Sequence, residues 1–233
     1  MNLRPKRCAA AAISVAALLC ASPAGFAQST DQPSYVVTYI EAAPKAATEA
    51  RELIVARCAA ARKAGGLTQI EAFGRTGYPS QFAMLEQWQS AKAREDYAAT
   101  EDAKSFLAKL SPLMVAGYDE RVHIPLTVGA SKPAPADAVV ALTHVDLIPT
   151  FKDTGIANVK AFGEQSRGTN GNLRFDVLTQ ASRTNHMTVV ESWSGQAAKD
   201  AHIAEPFVKS FRETLMPMSG SLYDERVYSA LRC

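Results

Sequence analysis

Histidine is the side chain best suited to proton transfer near neutral pH, and two of the four histidines in this chain are candidate bases. His202 precedes an apolar stretch with helical spacing, and His144 alternates with apolar residues in a strand-like stretch. Either imidazole could deprotonate a bound substrate. The alternatives are a helix-end residue for His202 and a core residue for His144, if its side of the strand faces helices. His186 begins another predicted strand, and His123 is expected to be exposed.

Two tryptophans each follow a glutamate by two residues, in Glu86-x-Trp88 and Glu191-x-Trp193. Side chains two apart on a strand lie on the same side of it, so each pair could form a pocket wall with a hydrogen-bond acceptor. A packing tryptophan beside a structural carboxylate is the plainer interpretation, because the arrangement occurs twice. If the pairs form a pocket wall instead, the candidate substrate-binding residues are Trp88, Trp193 and Glu191, together with Tyr97.

An internal repeat relates the two halves of the chain. The segment Tyr118–Val122 recurs as Tyr223–Val227, a shift of 105 residues. The same shift, without a gap, superposes Pro44 on Pro149, Gly66 on Gly171, Glu86 on Glu191, Trp88 on Trp193, Phe106 on Phe211 and Pro112 on Pro217. Chance does not keep one register over so many residue types, which indicates a duplicated domain. Within the repeated segment, Asp119 and Arg121 share a strand face and can pair, which favours a role in docking or in protection of a strand edge.

The duplication predicts two domains, at 34–124 and 138–229, joined by a linker at 125–137 that is rich in proline and small residues. Each domain has the size of a small independent folding unit. The shift places His202 on Tyr97, so the two copies have diverged at this position.

Each copy shows the element order β-α-β-β-α-β of a ferredoxin-like unit. The predicted strands are 34–41, 67–73, 81–88 and 118–124, then 138–147, 173–180, 186–193 and 222–229; the predicted helices are 46–63, 90–98, 101–115, 153–167 and 195–218. Helices cover only one face of each four-stranded sheet. The bare faces must be buried, so we expect an α+β protein in which the two units pack sheet to sheet.

The N-terminal segment 1–27 has the pattern of a signal peptide. Basic residues open the chain, an apolar run follows at 9–19, and Gly25-Phe26-Ala27 is a small-x-small cleavage pattern. We therefore expect a periplasmic or secreted protein. Removal of three cations and no acids changes the formal net charge from +2 to −1. This near-neutral balance gives no reason to expect nucleic acid or an anionic membrane as a partner.

Cys58 and Cys233 remain after this cleavage. Disulfides persist in exported proteins, so a bridge between them is one alternative. The other is a free Cys58 that acts as a small hydrophobic residue, since it lies on the apolar face of a predicted helix. We favour the free cysteine. Two cysteines without a CxxC motif predict no metal site.

Glu191-Ser192-Trp193, Ala198 and the segment His202–Phe207 resemble the signature of the antibiotic biosynthesis monooxygenase (ABM) domain. The first copy shows Glu86-Gln87-Trp88 and Ala93, with Tyr97 at the histidine position. The resemblance covers nearly all of the chain after the predicted signal, once per copy. It implies a dimeric α+β barrel, here formed within one chain, and oxidation of quinol- or polyketide-like aromatics without a cofactor. The haem-degrading branch uses a histidine in the long helix, and neither copy has one there.

Two functions follow from this resemblance. The first is a cofactor-independent monooxygenase that oxidises a small phenol or quinol, with His202 or His144 as the base. The second is a module without turnover that binds an apolar small molecule or a protein partner. A closed apolar pocket that contains a base would favour the first, and a filled barrel with surface histidines would favour the second. The sequence leaves open whether two chains associate into a homo-oligomer. Nucleotide, zinc-protease and serine-hydrolase motifs are absent from the sequence.

Overall fold

The computed structural model describes residues 32–233, so the predicted signal peptide lies outside the described residues. The first repeat contains β1 Ser34–Glu41, α1 Ala47–Ala61, β2 Leu67–Arg75, β3 Gln81–Trp88, α2 Ala91–Ala98, α3 Glu101–Leu110 and β4 Asp119–Thr127. The second contains β5 Val139–Asp146, α4 Lys152–Ser166, β6 Asn172–Gln180, β7 His186–Trp193, α5 Gln196–Ile203, α6 Pro206–Leu215 and β8 Asp224–Leu231. Two ferredoxin-like units thus follow each other, as predicted.

Local sequence accounts for the helix ends. The Ser90 side chain accepts a hydrogen bond from the Ala93 amide at 3.1 Å and caps α2. Gly66 precedes β2 with φ +82°, where a side chain would be strained, and a Cβ there would lie 2.6 Å from the Ala93 Cβ. Gly171 repeats this arrangement in the second unit against Ala198. The shared glycine and alanine therefore let each short helix approach its sheet closely.

The eight strands form one closed barrel in the order β1-β3-β2-β8-β5-β7-β6-β4. All pairings are antiparallel, and the units join through β2–β8 and β4–β6. A closed barrel has no free strand edge. β4 continues to Thr127, beyond its predicted end at 124, because Ile124, Pro125 and Thr127 pair with β6. The first residues of the predicted linker therefore belong to the joint between the units.

The buried apolar residues form three clusters. One lies between sheet and helices in the first repeat, around Ile54, Phe82, Met84, Phe106 and Leu110. The second is its equivalent in the other repeat, around Val159, Phe162, Phe175, Val189 and Phe211. The third fills the barrel interior, with Val37, Phe73, Leu85, Leu142 and Val190. Each fully buried large side chain contributes roughly 1.5–3 kcal/mol, so both faces of each sheet stabilise the fold.

Ionic groups also lie on the interior side of the barrel wall. Arg174 lies on the same side of β6 as Asp176 and Leu178. Its guanidinium donates a hydrogen bond to the Asp176 carboxylate and another to the Glu71 carboxylate of the first repeat, at 2.8 Å. The Arg174 and Asp176 side chains are almost fully buried. The ion pair of Arg174 with Glu71 bridges the two repeats. The predicted pairing of Asp119 with Arg121 is also present, at 2.7 Å.

Two expectations are wrong. Cys58 is not free but bridged to Cys233, with an S–S distance of 2.03 Å. The chain after β8 returns to α1, where the Arg62 guanidinium donates a hydrogen bond to the Cys233 carbonyl at 3.1 Å. His123 is not exposed but 1 % accessible, because it faces the barrel interior beside Tyr35. Within residues 32–233, no helix has the length and apolar content needed to cross a membrane.

Candidate functional site

Each repeat places a glutamate and a tryptophan between its sheet and its helices. The Trp88 Nε1 donates a hydrogen bond to the Glu86 Oε2 at 2.9 Å, and Trp193 makes the same bond to Glu191 at 2.9 Å. All four side chains are buried. Both pairs therefore serve the local structure, and the surroundings of each pair decide what else it can do.

In the first repeat, Arg57 of α1 completes a polar network. Its Nη2 lies 3.3 Å from the Glu86 Oε1, and its Nη1 donates a hydrogen bond to the Tyr97 hydroxyl. That hydroxyl donates in turn to the Asp102 carboxylate at 2.6 Å. The Arg57 guanidinium also lies 4.4 Å from the centre of the Tyr97 ring. One cation is thus held between a buried carboxylate and a phenol.

Burial sets the proton affinity of these groups. Desolvation raises the pKa of Glu86, while Arg57 and the Trp88 indole oppose that rise. A raised pKa makes a carboxylate a stronger base, provided that it is ionised at the working pH. The pKa of Tyr97 is also raised, first by burial and then by its hydrogen bond to Asp102, so this phenol stays protonated.

A small cavity of about 50 Å³ adjoins this network. Its lining includes Arg57, Glu86, Trp88, Tyr97 and Tyr118. A water molecule needs roughly 10–15 Å³ measured in this way, so the cavity has room for a few waters but not for an aromatic ring. Tyr97 also lines an outer groove of about 730 Å³, which runs past Gly66 and Asp102. Tyr97 is thus the side chain that the cavity and the groove have in common.

The equivalent region of the second repeat is filled. Phe162 replaces Arg57, and its ring stacks on Phe211 with 3.7 Å between the centres. His202 stacks on Trp193 at 4.4 Å and is enclosed by the rings of Phe162, Phe175 and Phe207 at 5.6–5.9 Å. Apolar contact has replaced the polar network of the first repeat.

The ionisable groups of this second region are strongly perturbed. Burial, with Lys199 and Arg212 nearby, lowers the pKa of His202 to about 4, so the imidazole is neutral at pH 7. Its Nδ1 lies 3.5 Å from the Thr169 hydroxyl. Burial and then Glu225 raise the pKa of Glu191 to about 7. Near neutral pH, Glu191 is therefore close to its titration point and His202 is not.

His144 lies elsewhere. It shares its side of β5 with Val140 and Leu142, which belong to the cluster inside the barrel, so it faces the interior. His202 packs on the opposite, helix-covered side of the same sheet. The structure therefore does not bring the two predicted bases together. Trp88 and Tyr97 share one region, with ring centres 5.2 Å apart, and Trp193, Glu191 and His202 share the other.

Arg57, Tyr118 and Asp102 were not anticipated from the sequence. A signal was available in the repeat, since the shift of 105 residues places Arg57 on Phe162. An arginine exchanged for a phenylalanine on a core-facing helix position indicates a change of environment. Among residues 32–233, no three or more His, Cys, Asp or Glu side chains form a group that could hold a metal ion.

A barrel built from two ferredoxin-like units, each with a buried Glu–Trp pair under its helices, defines a dimeric α+β barrel with a monooxygenase-like fold. The sequence profile of the antibiotic biosynthesis monooxygenase family matches residues 33–109 and again 138–214, more than half of the chain. The chain therefore belongs to the ABM family, as a tandem of two ABM domains.

Solved structures share this fold over most of the chain. A protein from Fusobacterium nucleatum, provisionally assigned as a monooxygenase, has a TM-score of 0.76 at 13% identity and covers 86% of this chain and 93% of its own. An anthrone oxidase-like protein gives 0.70 at 12% identity, covering 86% and 92%. A provisionally assigned monooxygenase from Lactobacillus acidophilus gives 0.69 at 15% identity, covering 85% and 94%. At these identities the likeness concerns the fold alone. No curated protein sequence matches the chain.

Proposed function

We propose that this protein is an exported, cofactor-independent monooxygenase that oxidises a small phenol or quinol with dioxygen, and that the first repeat holds its active site. The observation behind this proposal is the difference between the two repeats. In the first, Arg57, Glu86 and Tyr97 line a small cavity, and Tyr97 also lines an outer groove. In the second, stacked phenylalanines occupy the equivalent space.

Substrate entry requires Tyr97 to move. The phenol ring would replace the Tyr97 ring between Trp88 and Arg57, where the tryptophan offers an aromatic face and the guanidinium a cation. The substrate hydroxyl would then meet the Glu86 carboxylate. Asp102 would retain the Tyr97 hydroxyl on the groove side. The walls of the site would favour small, flat aromatic rings.

The chemistry is a proton transfer followed by electron transfer. Glu86 removes the phenolic proton, and Arg57 stabilises the anion that forms. In a phenol with hydrogen at the para carbon, the anion gives one electron to dioxygen, and the ring radical and superoxide combine at that carbon. The peroxide takes back the proton held by Glu86, and loss of water with the para hydrogen leaves a quinone. One dioxygen thus yields one carbonyl oxygen and one water, and the substrate supplies all the electrons. Exclusion of bulk water protects the radical pair.

Export is supported by two independent features. The segment 1–27 has the signal-peptide pattern. The bridge between Cys58 and Cys233 is of a kind that persists in oxidising compartments such as the periplasm.

The test is oxygen uptake by the purified protein with a panel of phenols and quinols. Glu86→Gln keeps the shape of the site and removes the base, so we expect a loss of at least 100-fold in kcat/KM. Glu191→Gln is the matched control, since it changes the same Glu–Trp pair in the filled repeat, and it should retain activity. The opposite pattern, with loss of activity in His202→Asn, would assign the second repeat and its predicted base. Loss in His144→Asn alone would assign the barrel interior.

The alternative function is a binding module without turnover. The small volume of the cavity, about 50 Å³, favours it, because no aromatic ring fits until Tyr97 moves. Folded protein that consumes no oxygen with any member of the panel, but quenches Trp88 fluorescence on addition of an aromatic ligand, would support this alternative. A Trp88→Phe variant would identify the quenched tryptophan.

A further inference from the structure

Three of the four histidines of the chain face the inside of the barrel at one of its two mouths. His123 lies on β4, His144 on β5 and His186 on β7. His123 reaches Thr188 of β7, whose hydroxyl lies 2.9 Å from its Nε2. His144 pairs with the same Thr188 across the β5–β7 ladder. The three imidazoles therefore belong to one end of the molecule.

The internal repeat shows which residues occupy the equivalent positions at the other mouth of the barrel. A shift of 105 residues relates His144 to Tyr39, His186 to Gln81 and His123 to Tyr228, and these three line the opposite mouth. Both mouths have the same backbone, so a tyrosine, a glutamine and another tyrosine satisfy the fold at these positions. Barrel architecture alone does not require the histidines.

Two of them, His144 and His186, are placed as a pair. The Nε2 of His144 lies 3.3 Å from the Nδ1 of His186. Two imidazole nitrogens bonded to one tetrahedral cation at about 2.0–2.1 Å are separated by about 3.3 Å. The spacing therefore equals that of two ligands of a single ion.

The outer nitrogen of His186 has a carboxylate partner. Its Nε2 lies 3.3 Å from the Asp146 Oδ1. A carboxylate that accepts from one ring nitrogen fixes the tautomer, so the lone pair is at the other nitrogen, Nδ1, which faces His144. Carboxylate, histidine and the proposed ion position thus follow the order found in metal sites. The His186 and Asp146 side chains are 14% and 23% accessible, so an ion can enter from solvent.

We propose that His144 and His186 form a binding site for a divalent transition-metal ion that prefers imidazole, such as Zn²⁺ or Cu²⁺. Asp146 acts as the outer partner that orients His186. Since the described residues supply no third side chain, the remaining coordination positions belong to water or to an exogenous ligand. Arg121 opposes positive charge at this site, since after burial it is the main cause that lowers the pKa of His144. Asp119 is paired with Arg121, and the carboxylates of Asp146 and Asp224 favour a cation. The site is separate from the proposed oxygenase site, which lies beneath the helices of the first repeat.

The test is metal binding by protein without an affinity tag. Zn²⁺ titration by calorimetry should give one saturable site per chain, and the Cu²⁺ form should show two imidazole nitrogens in its electron paramagnetic resonance spectrum. His186→Gln, which introduces the residue of the other mouth, should abolish the site. Asp146→Asn should weaken binding by 10–100-fold.

His202→Tyr is the matched control, because it replaces a histidine on the other side of the sheet with the residue of the first repeat. It should leave metal binding unchanged. Melting curves of the metal-free variants establish that each is folded. Absence of saturable binding by the unmodified chain, or binding that persists in folded His186→Gln, would overturn the proposal.

Discussion

The bridge between Cys58 and Cys233 allows a prediction whose size follows from the chain itself. The two cysteines are 175 residues apart in sequence, so the bond closes a loop that contains most of both repeats. In the chain-entropy description, closing a loop of that length destabilises the unfolded state by about 5 kcal/mol at 25 °C. Cys233→Ser should therefore lower the free energy of unfolding by up to that amount.

The change is best made at Cys233. Cys58 is fully buried, so a serine there would bury a hydroxyl group and add a penalty of its own. Cys233 is partly exposed, and the remaining Cys58 thiol can stay in the apolar cluster of α1. For a domain of this size, about 5 kcal/mol corresponds to a fall in Tm of roughly 10–20 °C.

The assay is thermal unfolding followed by circular dichroism, with and without a reductant. The reductant should lower the Tm of the parent protein to that of Cys233→Ser and leave the variant unchanged. Thiol titration before each melt establishes the redox state. If fully oxidised parent protein and variant unfold within about 1 °C of each other, the loop-closure reasoning is refuted, since the bond would then not constrain the unfolded chain.

Three further predictions concern single side chains. Arg174→Met leaves the buried Asp176 carboxylate without its cationic partner and should cost about 3–5 kcal/mol in urea unfolding. Glu191 has a folded-state pKa of about 7, above its unfolded value, so its protonated form stabilises the folded protein below about pH 4.5, and this stabilisation is lost as pH rises to 7. The free energy of unfolding of Glu191→Gln should therefore increase by roughly 3 kcal/mol relative to that of the parent across this range. Gly66→Ala combines a left-handed φ with a clash against Ala93 and should cost more than about 1 kcal/mol.

Each of these has its own check. Lys92→Met removes an exposed ion pair and should change stability by less than about 1 kcal/mol, in contrast to Arg174→Met. A stability difference between Glu191→Gln and the parent that is the same at pH 5 and pH 8 would contradict the raised pKa. Gly65→Ala, whose Cβ meets nothing within 4 Å, is the control for Gly66→Ala; equal losses would show that crowding by Ala93 is not the cause.

Much of the fold could be read from the sequence because the repeat supplies two copies of every signal. The shift of 105 residues established the duplicated unit, and alternation along each strand gave the β-α-β-β-α-β order. Packing of the two bare sheet faces then followed from the need to bury them. The barrel-side location of His144 did not follow, because alternation shows which residues share a side but not what covers that side.

Contacts between residues far apart in the sequence could not be predicted either. The helical pattern around Cys58 shows a buried face, whether the thiol is free or bonded, and nothing near it in sequence indicates the return of the C-terminal segment. The role of Arg57 could not be predicted for a similar reason, since a single arginine on a helix usually lies at the surface. Its role depends on Glu86 and Tyr97, which come from a strand and from another helix.

Because one polypeptide forms the whole closed barrel, the sequences of its two halves can diverge independently. In a barrel assembled from two identical chains, every substitution appears at both ends, and dilution separates the halves. Here the halves are covalently joined, so the local concentration of one for the other does not fall with the amount of protein. A substitution also alters one end only. The aromatic filling of the second repeat and the histidines at a single mouth are differences that a symmetric dimer could not have acquired.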